Sequence, residues 1–121
     1  MAMDKLIKEV NECIEREYGR AGAKFGLTNH SDHESYAVLL EEFEEAKCEF
    51  EFVEKYLREF WDCVKSDFSL YDKAVYCQDT QRRALLCACE MIQVAAMAKK
   101  AALTIIDRAT RVELLEEEGG S

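Results

Sequence analysis

The sequence predicts an all-α fold in which long antiparallel helices form a helical bundle completed by oligomerisation. Three observations carry this expectation. The 121 residues contain no proline, runs of β-branched residues are scarce, and apolar side chains recur at steps of three and four, the spacing of one helix face. At 49% hydrophobic and 34% charged residues the chain is too apolar for a disordered segment. No uninterrupted stretch of ~20 apolar residues is present to span a bilayer.

The first helix is expected over residues 3–18, where Leu6, Ile7, Val10, Ile14 and Tyr18 share a face, with an end near Gly19. A loop follows, rich in Gly19, Gly22 and Gly26 and then Asn29-His30-Ser31-Asp32. Ser31-x-x-Glu34 has the form of a capping box and starts the second helix. From 32 to about 65, Leu39, Phe43, Ala46, Phe50, Val53, Leu57, Phe60 and Val64 alternate steps of four and three, a heptad-like seam. Ser66-Asp67-Phe68-Ser69 breaks it. A third helix is expected over 70–112, with a kink near Asp79-Thr80. Residues 1–115 make one all-α domain, and 116–121 a flexible, solvated acidic tail. A helix of about 34 residues is ~51 Å long, against a radius of gyration of ~14 Å for a compact domain of this size. One protomer cannot wrap the seam, so a dimer or tetramer is expected, most simply a twofold dimer.

With 16 Lys plus Arg against 25 Asp plus Glu, the net charge is −9, which argues against partnership with polymeric nucleic acid or an anionic membrane. The N-terminal residues lack the apolar core of a secretory signal, so the chain is expected in the cytoplasm. The six cysteines fall in helical segments without a Cys-x-x-Cys pair. They read as reduced, mostly buried small hydrophobes; the sharper alternative is a zinc site on Cys87 and Cys89.

Candidate chemistry lies in the carboxylates. At 100° per residue, Glu34, Glu41, Glu42, Glu45 and Glu49 fill one sector directly beside the apolar seam, although a solvated acidic face is the plainer reading. Glu34 doubles as the partner of Ser31 in the capping box. Residues 84–98 contain only two polar side chains, Glu90 and Gln93. A helix apolar almost all round is buried, and a buried carboxylate must be protonated, paired or metal-bound. If Glu90 meets the acidic sector, oxygen-only ligands suit Mg²⁺ or Mn²⁺. The alternative is an ion pair with Arg82, Arg83 or Lys99. Arg83 and Lys100, two turns from Glu90 and Gln93 respectively, are candidate phosphate contacts. Phe52 and Tyr56, with Trp61 beyond, could wall a base or belong to the core.

These residues carry a resemblance. Glu41-Glu42-Phe43-Glu44-Glu45 and Glu90-Met91-Ile92-Gln93 resemble the EExxE and ExxD halves of the motif pair of MazG-like, all-α nucleoside triphosphate pyrophosphohydrolases. The flanking His33-Glu34-Ser35-Tyr36-Ala37-Val38 and Gln93-Val94-Ala95-Ala96-Met97-Ala98-Lys99-Lys100 look like small phage and prophage members, and the likeness covers roughly residues 18–104. It implies hydrolysis of a (deoxy)nucleoside triphosphate to monophosphate and pyrophosphate, with Mg²⁺ (or Mn²⁺) held by Glu42, Glu45, Glu90 and Gln93. Glu41 and Glu45 would serve the attacking water, with Glu34, Arg83 and Lys100 on the substrate. Position 93 is Gln where the family pattern has Asp, and the two halves lie further apart than is usual. The alternative from another class is a catalytically silent helical assembly or interaction protein.

Overall fold

The computed structural model describes residues 2–119. They form three helices: α1 (Ala2–Phe25), α2 (Asp32–Lys65) and α3 (Leu70–Gly119). Each expected helix is present. No described helix is long and apolar enough to cross a membrane.

The boundaries show where backbone chemistry outweighs pattern. α1 does not end near Gly19 but runs six residues further, to Phe25. Glycine inside a helix costs only ~1 kcal/mol relative to alanine, too little to stop one. The stop is Gly26, at φ 90°, in the left-handed region that side chains disfavour. Its N–H donates to the Gly22 carbonyl at 2.9 Å, and Leu27 folds back over Gly22. α2 starts on the expected cap, the Glu34 N–H donating to Ser31 Oγ at 3.1 Å. The return bond of the box lands one residue early: Glu34 Oε2 accepts the N–H of His30 at 3.3 Å.

Asp67, at φ 51°, ends α2 with the Phe68 N–H donating to the Cys63 carbonyl at 3.0 Å. Ser69 then caps α3 by accepting the Asp72 N–H at 3.1 Å. Helical hydrogen bonding continues through Asp79-Thr80, where the Thr80 hydroxyl donates to the Tyr76 carbonyl at 2.8 Å. The acidic run Glu116–Glu118, expected as a tail, is helical and exposed; 120 and 121 lie outside the described residues.

The chain divides into two units, Glu42–Met91 and the remainder on either side of it. In the first unit, formed by residues up to 41 and from 92 onward, Ala21, Ala96 and Met97 are the buried centre, with Ile14, Tyr18, Val38 and Leu39 packed against them. Small residues at the centre let the helices approach closely. Asn29 ties the α1–α2 loop to α3, its backbone N–H donating to Thr104 Oγ1 at 3.1 Å. Lys99 pairs with Glu15 and stands over the Tyr18 ring.

The second unit is an antiparallel helical hairpin from the rest of α2 and the start of α3, joined by residues 66–69. Ala46 and Cys63, each 2% exposed, are its buried side chains. The Cys87 thiol donates to the Ala46 carbonyl at 3.6 Å. The seam of α2 divides. Ala46 is buried and Val53 and Phe60 half-buried, but Phe43, Phe50, Leu57 and Val64, seven residues apart, are 50%, 52%, 57% and 41% exposed.

Two burial expectations are corrected. The stretch 84–98 is not enclosed all round: Leu85, Cys89 and Met91 are exposed, because the hairpin covers only the side of α3 that faces α2. The six cysteines are unbridged, as expected, yet only Cys63 is buried, while Cys48, Cys77 and Cys89 face outward. Burial pushes the Cys63 thiol up, reinforced by Asp72, Asp62 and Glu59.

Candidate metal centre

Helix spacing builds the site in the second unit. Glu42 and Glu45, three apart, project from one face of α2. Glu90 comes from the antiparallel stretch of α3, beside the close approach of Ala46 and Cys87. One carboxylate oxygen from each of Glu42, Glu45 and Glu90 lies within 4.8 Å of the others. Glu42 and Glu90 are half-buried and Glu45 is exposed.

The electrostatics show why this arrangement is costly when ionised. Burial, first, and then the charge of Glu45, a hydrogen bond shared with it, and the charge of Glu49 push the Glu90 carboxyl above the usual carboxylate range. A hydrogen bond between two carboxyl groups requires a proton. The ion-pair alternative for Glu90 is not what the structure contains. Arg83 instead pairs with Glu49 at 3.1 Å, its guanidinium 4.2 Å from the centre of the Phe52 ring, and the Glu49 bond raises its pKa further. Lys99 is taken by Glu15.

Phe52 and Tyr56 stack with ring centroids 6.3 Å apart, so an aromatic surface stands one turn beyond Glu49. Trp61 is exposed with Lys65 above its ring. No cysteine joins a metal-competent group among the described residues, which leaves the zinc alternative at Cys87 and Cys89 without a partner set.

The remaining candidates fall in the first unit. Glu41 is exposed. Gln93 is half-buried, and the Glu17 carboxyl is held low chiefly by Arg20 and in lesser part by the Gln93 amide. Glu34 is occupied by the His30 N–H. Lys100, expected as a phosphate contact, is only 7% exposed and lies along α3 with Ala96, Met97 and Thr104. The Glu49–Arg83 pair escaped sequence reasoning. Only the oppositely charged types were legible, not which helices would bring them together.

The chain matches no protein-family model, no curated protein and no solved structure.

Proposed function

We propose that this protein is a Mg²⁺-dependent nucleotide pyrophosphohydrolase that hydrolyses (deoxy)nucleoside triphosphates to monophosphate and pyrophosphate. The observation that carries the reading is the convergence of Glu42, Glu45 and Glu90 within 4.8 Å. Three carboxylates at that distance repel one another, and an all-oxygen donor set fits a hard divalent cation. Bound there, the cation would neutralise and orient the triphosphate, the main requirement of phosphoryl-type transfer. Glu42, Glu45 and Glu90 hold it. Glu45, the exposed member, is the group that would orient the attacking water and accept its proton. Arg83 offers guanidinium donors beyond those used by Glu49, and the Phe52–Tyr56 pair offers a stacking surface for a base.

The exposed stripe Phe43, Phe50, Leu57, Val64 supports self-association into a dimer or tetramer, and it equally favours the second reading, a helical assembly protein without catalysis. One assay separates them. All common NTPs and dNTPs are incubated with Mg²⁺ or Mn²⁺, and pyrophosphate and monophosphate are measured. Changing Glu42, Glu45 or Glu90 to Gln should each reduce turnover by about 10²-fold or more. Changes at the exposed Glu44 and Glu51 should be nearly silent. Absence of pyrophosphate from every nucleotide leaves the assembly protein as the answer.

A further inference from the structure

The first half of α1 presents an apolar face that its own chain leaves uncovered. Every residue from 2 to 12 is exposed. At 100° per residue, Met3, Leu6, Ile7, Val10 and Ile14 share a sector about 100° wide. The hollow beside this face is lined by α1 residues alone. An amphipathic helix owes most of its stability to the packing of such a face, so this one is shaped for a neighbour. Its borders are acidic: Asp4 and Glu9 stand about 60° outside the two edges of the sector, whereas Lys5 and Lys8 fall on the opposite side.

The hairpin of the second unit has the complementary form. Phe43, Ala46, Lys47 and Phe50 of α2, with Cys87 and Met91 of α3, line a groove of about 460 Å³ between the two helices. Lys47 is the one charged residue of that lining, and it makes no ion pair among the described residues. A groove of this kind receives an amphipathic helix through anchors at i, i+3 or i+4, and i+7, the spacing of Met3, Leu6 or Ile7, and Val10. Other pairings of the same surfaces fit less well. Two grooves face to face would leave both hollows empty and set Lys47 against Lys47, and two α1 faces would bring four acidic borders together.

We propose that the first half of α1 is an arm that docks in the hairpin groove of a second copy of this chain. Met3, Ile7 and Val10 sit between Phe43, Phe50 and Met91, with an acidic border of the arm beside Lys47. Every copy carries one arm and one groove, so two copies that exchange arms satisfy all four surfaces and close as a dimer. Glu45 and Phe50 project about 140° apart from α2, which puts the docked arm on the other side of that helix from Glu45. The contact is therefore independent of any hydrolysis at the carboxylates.

Sedimentation equilibrium on the full chain tests this with Ile7→Glu in the arm and Phe50→Glu in the groove. Both side chains are more than half exposed, so the helices should persist, as circular dichroism checks. Ile7→Ser or Phe50→Ser replaces a glutamate variant that loses helicity. The wild type should be a dimer at micromolar concentration, and each variant alone should dissociate roughly tenfold or more readily. Mixed in equal amounts, the two variants should form a one-to-one heterodimer, because the intact arm of Phe50→Glu meets the intact groove of Ile7→Glu. A dimer unchanged in Ile7→Glu would overturn the proposal and assign assembly to hairpin against hairpin. A dimer unchanged in Phe50→Glu, a mixture that stays monomeric, or a wild-type monomer, whose arm would await a different protein, would overturn it as well.

Discussion

Glu90 places a carboxyl group where charge is disfavoured. Folding raises its affinity for a proton through burial and the neighbouring Glu45 and Glu49. The ionised form is therefore less stable in the folded chain than in the unfolded one. That penalty is absent below the ordinary carboxylate range and grows as pH rises through the unfolded value toward the folded one. Without divalent metal at neutral pH, Glu90→Gln should melt a few degrees above the wild type. On the proposed reading, millimolar Mg²⁺ should raise the wild-type melting temperature and leave Glu90→Gln unmoved, because the ion would bind only the native carboxylate cluster. Calorimetric melts with EDTA and with Mg²⁺ check both; a metal-free Glu90→Gln that melts lower than wild type refutes the strain. Glu90 was legible in the sequence as one of two polar side chains in an apolar stretch. Asn29 was not: it reads as a turn residue, and its bond to Thr104 spans 75 positions that no local pattern connects.

Among elements, the helix ends separate signals that look alike in sequence. Gly19 and Gly26 are both candidate stops, yet Gly19 is inside α1 with nothing within 4 Å of where a Cβ would stand, and Gly26 is at φ 90°. Gly19→Ala should stabilise the chain by about 0.5–1 kcal/mol, through helix propensity and a less disordered unfolded state. Gly26→Ala should destabilise it by about 1–2 kcal/mol, the cost of a side chain in the left-handed region. Thermal melts of the two variants should move in opposite directions; equal shifts would contradict the φ assignment. The starts of α2 and α3 were easier to read. A serine cap followed by its partner three residues on is local chemistry, whereas the end of α1 depended on which glycine took the unusual backbone angle.

On the scale of the whole molecule, the apolar seam exceeds what one chain covers. Phe43 and Phe50 each expose about half of a side chain that could bury ~200 Å². With Leu57, Val64 and Trp61 the exposed apolar surface is on the order of 400 Å², comparable to the largest patches on ordinary monomers, and a dimer would need ~800 Å² per partner. Surface of α3 such as Leu86 and Met91 would have to contribute the rest. Light scattering at micromolar concentration should give a dimer or tetramer, and Phe50→Glu should shift it toward the monomer. A wild-type monomer would refute the assembly. The heptad spacing was legible in the sequence, but the expectation that 84–98 would be enclosed rested on its apolar composition, which does not say how much of α3 a neighbouring helix covers.

The devices that close α1 and α2, a glycine and an aspartate in the left-handed region, also do without proline, which the 121 residues lack altogether. Proline is the residue whose peptide bond interconverts over tens of seconds and splits an unfolded population into slow and fast fractions. This chain starts every refolding attempt from one kinetic population. If copies do assemble, a slow, concentration-dependent phase in its recovery would belong to their meeting rather than to the backbone, and the time course itself would report it.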